Sequence, residues 1–212
     1  MDVSATGQTA SIPHVELVVV VASLGGLAAV STVLGGLPET FCVPLLLVQH
    51  GVRSNDPDRL SRLLQKSTTL PVRTARRGRW AGQPGITVIP GGFNATLDGA
   101  HRLHLTDGSA LGGGDALLSS AAAALGPAVI GVVLTGTLRD GTEGIRAIKR
   151  HGGRVLAQDP ATARAGGMPS SAIATGCVDF VLPLSRIAPA LVALTMAPSP
   201  WPPAPQICLP FR

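Results

Sequence analysis

The chain has 212 residues, a formal net charge of +5, and 45% hydrophobic and 14% charged residues. This composition is sufficient for a buried core and excludes a disordered, highly charged chain, and the length fits one domain. Aromatic residues make up 3% and tyrosine is absent, which argues against a nucleic-acid module that stacks bases on aromatic rings. We therefore expect no nucleic-acid partner.

Residues 17–37 carry no charge and are long enough to cross a bilayer, which takes about 20 residues. The segment nevertheless divides into a β-branched run, LVVVVA, and a helix-like run, LAAVSTVL, separated by SLGG. No basic residue precedes Arg53, whereas a signal peptide begins with basic residues. We predict a buried strand followed by a helix, no membrane insertion and a cytoplasmic location.

The cysteines and prolines bear on compartment and domain organisation. Three widely spaced cysteines argue against a disulfide framework and a CxxC metal site, and favour a reducing compartment; they are Cys42, Cys177 and Cys208.

Residues 1–14 are predicted to be a flexible leader. Residues 197–212 contain PSPWPPAP and are predicted to be a flexible tail. Residues 15–196 then form a single domain.

Strand-like and helix-like segments alternate along this domain. In chain order, the first half is predicted to contain a strand at 17–22, a helix at 25–35, a strand at 43–49, a helix capped at Asp56-Pro57, short strands at 70–74 and 85–89, and a hairpin of 93–98 and 101–106. The second half is predicted to contain a helix at 115–125, a strand at 128–136, a helix at 142–151, a strand at 154–158, a helix at 170–175, a strand at 177–183 and a helix at 185–196. The alternation predicts an α/β fold, a doubly wound and mostly parallel sheet with helices on both faces and a small antiparallel hairpin annex.

Three reactive side chains follow three different predicted strands. Ser23 follows LVVVVA, His50 follows VPLLLVQ, and Asp140 lies four residues after AVIGVVLTG. Ligands of open α/β sheets bind outside the carboxyl ends of the strands. A serine needs a base to become a nucleophile, an imidazole can take its proton near neutral pH, and a carboxylate orients that imidazole. The set therefore predicts acyl transfer through Ser23.

Other interpretations of these residues remain open. Ser23 is also consistent with a helix cap, and Leu24 to Gly26 with a phosphate or nucleotide site, although no complete phosphate-binding motif is present. The arginines between Arg73 and Arg79 fit either a solvated edge or a docking patch for an acidic protein. The remaining histidines show no metal-ligand spacing, so we predict no metal; they are His14, His101, His104 and His151.

Four segments carry a family resemblance. VVVVASLGGLAAV, LLLVQH, PGITVIPGG and VIGVVLTGTLRDGTEGIRAIKRHGGRVLAQDPATARAGGMPSSAI resemble the catalytic domain of the CheB-type chemotaxis protein-glutamate methylesterases. The resemblance implies a serine esterase that hydrolyses glutamate methyl esters on chemoreceptors and in many members deamidates glutamines, without a cofactor. It implies Ser23 as nucleophile, His50 as base and Asp140 as orienting carboxylate, with the oxyanion and substrate site near Leu24, Gly25 and Thr137.

Departures from the family pattern define a second hypothesis. Leu24 replaces the usual threonine, and Leu138 and Arg139 replace other residues beside Asp140. Leu111-Gly112-Gly113-Gly114-Asp115 stands where the family has Arg-Pro-Ser-x-Asp, and only the aspartate is kept. We expect no receiver domain ahead of Val15. The first hypothesis is a methylesterase domain acting on a methylated chemoreceptor-like protein, with any receiver supplied by a separate protein. The alternative is a non-catalytic protein-binding module of the same fold.

Overall fold

The computed structural model describes residues 14–51, 56–79, 81–108, 113–137 and 139–196. Apart from His14, the predicted leader and the predicted tail lie outside the described residues, so their assignments stay predictions. Leu111, Gly112 and Leu138, three of the departures from the family pattern, also lie outside these ranges.

The described residues form nine strands and six α-helices. The strands are β1 (Leu17–Ala22), β2 (Leu45–Gln49), β3 (Val72–Thr74), β4 (Ile86–Val88), β5 (Phe93–Leu97), β6 (Leu103–Asp107), β7 (Val129–Val133), β8 (Arg154–Gln158) and β9 (Phe180–Leu182). The helices are α1 (Gly26–Gly35), α2 (Arg59–Gln65), α3 (Gly113–Leu125), α4 (Thr142–Arg150), α5 (Gly167–Ile173) and α6 (Leu184–Met196). Short 3₁₀ turns at Gly126–Ala128 and Pro160–Thr162 precede β7 and follow β8.

Seven strands form one sheet in the order β3-β4-β2-β1-β7-β8-β9, and each neighbouring pair is parallel. Strands β5 and β6 pair antiparallel in a separate hairpin. The predicted α/β fold, with its doubly wound sheet and hairpin annex, is confirmed. Because β2 follows β1 on one side and β7 adjoins β1 on the other, the strand order reverses at β1. Ligand crevices of open α/β sheets form at such a reversal.

The unbroken apolar run of β1 reflects its position at the centre of the sheet. Val18, Val20 and Ala22 pack on one face, and Leu17, Val19 and Val21 pack on the other. Helices α1, α2 and α6 cover the first face, and α3, α4 and α5 cover the second, through buried residues such as Val30, Leu64, Leu191, Leu118, Ile148 and Met168. Each fully buried aliphatic side chain stabilises the fold by roughly 1.5–3 kcal/mol.

Several predicted boundaries differ from the structure, such as the helix predicted at 170–175, which is observed at Gly167–Ile173. Two of the differences have a clear physical reason. Helix α2 begins at Arg59 with Asp58 as its N-cap, not at Asp56-Pro57, because Asp56 Oδ1 accepts from the Asp58 N–H at 3.0 Å and forms a turn ahead of the helix. The last strand is three residues long instead of seven. Asp179 Oδ2 accepts from the Val155 N–H at 2.7 Å, so a side chain occupies a backbone donor that a longer strand would use.

Two further sequence expectations concern the cysteines and the membrane. Cys42 is a free, exposed thiol, whereas Cys177 is disulfide-bonded, which the odd number and wide spacing of the cysteines did not predict. Across the described residues, every helix is too short or too polar to span a bilayer.

Candidate active site

Ser23 lies at the carboxyl end of β1, and its backbone is fixed by three hydrogen bonds. Its N–H donates to the Thr135 carbonyl at 2.9 Å, and its own carbonyl accepts from the Gly26 N–H at 2.8 Å and from Gln49 Nε2 at 2.6 Å. Gly25 adopts a φ of +82°, which favours glycine and lets the chain turn from β1 into α1. The turn holds Ser23 at the edge where the parallel strands end.

Gln49 is a polar residue in an otherwise apolar strand, and its side chain stabilises this turn by a hydrogen bond to the Ser23 carbonyl. Its Nε2 also donates to the His50 carbonyl at 3.2 Å, so one buried amide connects the residues that follow β1 and β2. A methyl group on Gly26 would lie 2.0 Å from Gln49 Oε1, so the amide needs a glycine at the start of α1. Our sequence reasoning missed Gln49. Its polarity inside a buried strand is the signal that points to it.

His50 and Asp140 form a buried pair beside the turn. Ala22 pairs with Gln49 in the β1–β2 ladder, so Ser23 and His50 occupy the next ladder position, where parallel strands lie about 4.8 Å apart. The His50 N–H donates to the Ala22 carbonyl at 2.9 Å. Nε2 of His50 contacts Oδ2 of Asp140, and the two side chains are only 6% and 4% exposed. Nδ1 is therefore the ring nitrogen that remains for a proton transfer.

Asp140 is anchored by two backbone amides as well as by His50. The Gly114 N–H donates to Oδ2 at 2.8 Å, and the Asp115 N–H donates to Oδ1 at 3.0 Å. Burial raises the pKa of Asp140, but the hydrogen bonds from His50 and these amides outweigh burial and hold the pKa below its usual range. Asp140 is thus kept ionised next to the imidazole.

Asp115 is a second carboxyl group at the start of α3. Its Oδ1 accepts from the Gly144 N–H at 2.7 Å, so it ties α3 to the first turn of α4. Burial, followed by the charge of Asp140, raises the pKa of Asp115 despite that hydrogen bond. The environment therefore separates the pKa values of two neighbouring carboxyl groups, lowering that of Asp140 and raising that of Asp115.

The residues predicted for the oxyanion and substrate site lie on the two loops that meet at Ser23. Leu24 is 52% exposed and Gly25 follows it, while Thr137 is exposed on the loop after β7. No described residue accepts a hydrogen bond from the backbone N–H of Leu24 or of Thr137.

Thr135 joins three loops at the same edge and was also missed by the sequence reasoning. Its Oγ1 donates to the Leu24 carbonyl at 2.9 Å and accepts from the Ala165 N–H at 2.9 Å. Its backbone N–H donates to Gln158 Oε1 at 2.9 Å. One buried threonine thereby connects the loops that follow β1, β7 and β8. Only the packing of these loops identifies it, because a threonine at a strand end is common in sequences.

Replacing Gly136 with alanine is expected to destabilise the fold by about 1–3 kcal/mol, the usual cost of overpacking. The added methyl group would lie 2.1 Å from Met168 Sδ and 2.8 Å from Ser23 Cβ. Urea unfolding measures the change. Gly99→Ala is the control, because a methyl group there meets nothing within 4 Å. Equal stability of the two variants would contradict the packing argument.

The other charged candidates lie away from this edge or are partly neutralised. His104 and Asp98 pair at 2.7 Å on the exposed hairpin. Within the arginine stretch, Arg73 donates to the Pro84 carbonyl at 3.0 Å and Arg76 pairs with Asp58 at 3.0 Å. The carboxylate of Asp58 therefore offsets the charge of Arg76, whereas the hydrogen bond to a carbonyl leaves the charge of Arg73 in place.

Comparisons with known proteins agree on one family. The family model described as CheB methylesterase matches residues 18–191. The protein-glutamate methylesterase FrzG of Myxococcus xanthus is 39% identical over 184 residues, which are 85% of this chain and 55% of FrzG. A protein-glutamate methylesterase/protein-glutamine glutaminase of Moorella thermoacetica is 39% identical over 191 residues, or 86% of this chain and 45% of that protein. The chain thus spans about half the length of these curated relatives.

A solved structure gives the same result for the fold. The crystal structure of the Thermotoga maritima CheB methylesterase catalytic domain is 31% identical, with a TM-score of 0.78, and the match covers 85% of this chain and 98% of that domain. Sequence and fold therefore agree over most of the described residues, and the chain belongs to the CheB methylesterase family.

Proposed function

We propose that the chain is a serine esterase that hydrolyses glutamate methyl esters on methylated, chemoreceptor-like proteins, with Ser23, His50 and Asp140 as its catalytic triad. The observation that carries the proposal is the buried contact between His50 and an ionised Asp140, at the ladder position of Ser23. The names of FrzG and of the Moorella relative support the choice of substrate.

In the first half of the reaction, Ser23 becomes acylated. Ser23 Oγ attacks the ester carbonyl carbon while Nδ1 of His50 takes the hydroxyl proton. Asp140 stabilises the resulting imidazolium through its contact with Nε2. The bond to the methoxy oxygen then breaks, His50 returns the proton to that oxygen, and methanol leaves.

In the second half, water releases the glutamate. Nδ1 of His50 takes a proton from water as the water oxygen attacks the acyl carbon. The bond to Ser23 Oγ breaks, and the proton on His50 passes to that oxygen. The products are the free glutamic acid side chain, which loses its remaining proton to solvent and becomes a carboxylate, and a regenerated hydroxyl group. Each step uses side chains of this chain and water.

The negative charge that develops on the carbonyl oxygen needs hydrogen-bond donors. The N–H groups of Leu24 and Thr137 serve this role, and the positive φ of Gly25 forms the turn that carries Leu24. The same machinery deamidates a glutamine side chain when ammonia replaces methanol as the leaving group. The reaction takes place in the cytoplasm.

Methanol release from peptides that carry a glutamyl methyl ester tests this function, with ammonia release from matched glutamine peptides measured in parallel. We expect methanol release that depends on enzyme concentration, and labelling of the protein by a serine-reactive fluorophosphonate. A folded protein that releases no methanol and takes up no label would contradict the proposal and favour the non-catalytic binding module.

A further inference from the structure

Arg164 lies against the nucleophile turn. The stem of its side chain packs on Gly25, since a methyl group on Gly25 would lie 2.8 Å from Cβ and 3.0 Å from Cδ of Arg164. Gly25 separates Leu24 from the start of α1. The arginine therefore borders the residues that immediately follow Ser23.

The backbone on either side of Arg164 is tied to the same site. The Ala165 N–H donates to Thr135 Oγ1 at 2.9 Å, and the Ala165 carbonyl accepts from the Gly136 N–H at 2.9 Å. These bonds join the loop of Arg164 to the loop that follows β7. The backbone that carries the Arg164 side chain is therefore held close to Ser23.

Arg164 is an exposed residue, and within the described ranges no carboxylate pairs with it. Two other exposed arginines, Arg62 and Arg76, are instead paired with Asp56 and Asp58. A guanidinium offers several N–H donors in a planar fork that matches a carboxylate. Exposed Leu24 and Leu27 add an apolar surface on the same turn.

We propose that Arg164 is a specificity-determining residue that binds a free carboxylate of the substrate close to the ester, so that the enzyme prefers esters within acidic segments. This inference rests on the proposed esterase function. The recognised group is an aspartate or glutamate side chain of the substrate protein, and the apolar surface of Leu24 and Leu27 contacts the apolar side of the same segment.

Two peptides with one glutamyl methyl ester each test the proposal. One carries glutamates three and four residues on either side of the ester, and the other carries glutamines there. The measured quantity is the ratio of kcat/KM for the acidic peptide to kcat/KM for the neutral peptide. We expect a ratio above one in the wild type and a decrease of about threefold to fivefold in Arg164→Gln, the scale of one exposed ion pair.

Arg139 is also exposed and lies beside Asp140, so it offers the substrate a second positive charge. We therefore expect the ratio in Arg164→Gln to decrease but to stay above one. Arg164→Lys keeps the charge without the fork and is expected to retain an intermediate ratio. Higher salt should lower the wild-type ratio, because the screening length falls from about 10 Å at 0.1 M to about 3 Å at 1 M.

Arg150→Gln is the matched control, since it removes the same charge from an exposed residue. Arg150 ends α4, whose nine residues begin next to Asp140 and extend about 13 Å away from it. We expect the wild-type ratio in this variant. An unchanged ratio in Arg164→Gln, or an equal decrease in Arg150→Gln, would overturn the role of Arg164 while ester hydrolysis still supports the proposed function. Absence of hydrolysis and of fluorophosphonate labelling in the wild type would overturn both.

Discussion

Ser23→Ala is expected to lower kcat/KM for glutamyl methyl ester hydrolysis by a factor on the order of 10⁴ or more and to abolish fluorophosphonate labelling. The hydroxyl oxygen is the atom that forms the acyl bond, and its removal leaves only water as a nucleophile. The measurement is methanol release under conditions where the wild type turns over many times.

The fold of the Ser23→Ala variant should be preserved. Ser23 Oγ makes no hydrogen bond with another described residue, and the bonds that fix the turn come from backbone groups and from Gln49. We expect its thermal unfolding to match that of the wild type. Ser67→Ala, at the C-terminal end of α2, is the control for serine removal and should keep full activity. Retained esterase activity in Ser23→Ala would rule out this nucleophile.

Asp140→Asn is expected to lower kcat/KM by a factor on the order of 10⁴, as removal of a triad carboxylate does elsewhere. Asparagine cannot supply the negative charge that stabilises the His50 imidazolium. It also offers one carbonyl oxygen where two carboxylate oxygens accept the N–H groups of Gly114 and Asp115. One of these amides then loses its acceptor, which adds a stability loss of about 1–3 kcal/mol.

Activity on the peptide ester and urea unfolding test this prediction together. Asp98→Asn provides the control, because it breaks the exposed pair of Asp98 with His104 on the hairpin. That control should retain activity and change stability only slightly, because solvent screens an exposed pair. Ester hydrolysis by Asp140→Asn within tenfold of the wild type would show that the buried carboxylate does not act on His50.

The same variant should change the acid stability of the fold. The pKa of Asp140 is lowered in the folded chain, so its contribution to stability is present above the unfolded pKa of about 3.9 and is lost as the pH falls through the folded value. The raised pKa of Asp115 acts in the opposite direction, because its ionisation is less favourable in the folded chain. The free energy of unfolding, measured with urea between pH 6 and pH 3, should therefore decrease less steeply in Asp140→Asn than in Asp115→Asn. The reverse order would contradict the directions assigned to the two pKa values.

The sequence by itself determined the fold class and the three residues at strand ends. Uncharged, β-branched runs such as 17–22 can only be buried on both faces, and their alternation with helical segments leaves a parallel sheet as the solution. Since parallel strands end at one edge, Ser23, His50 and Asp140 could be grouped without knowing any distance. The motifs around them were sufficient to indicate the family.

Only the tertiary structure decided how these residues are held. Gln49, Thr135 and Asp115 act through contacts between residues 26 to 111 positions apart, and no local pattern encodes such contacts. The start of β9 depends on Asp179, whose side chain accepts a hydrogen bond from a backbone N–H of β8. The side-chain stem of Arg164 packs in the space that the missing side chain of Gly25 leaves. Local hydrophobic patterns thus determine which elements form. The side chains that hold the loops at the edge of the sheet become recognisable only after those elements have packed.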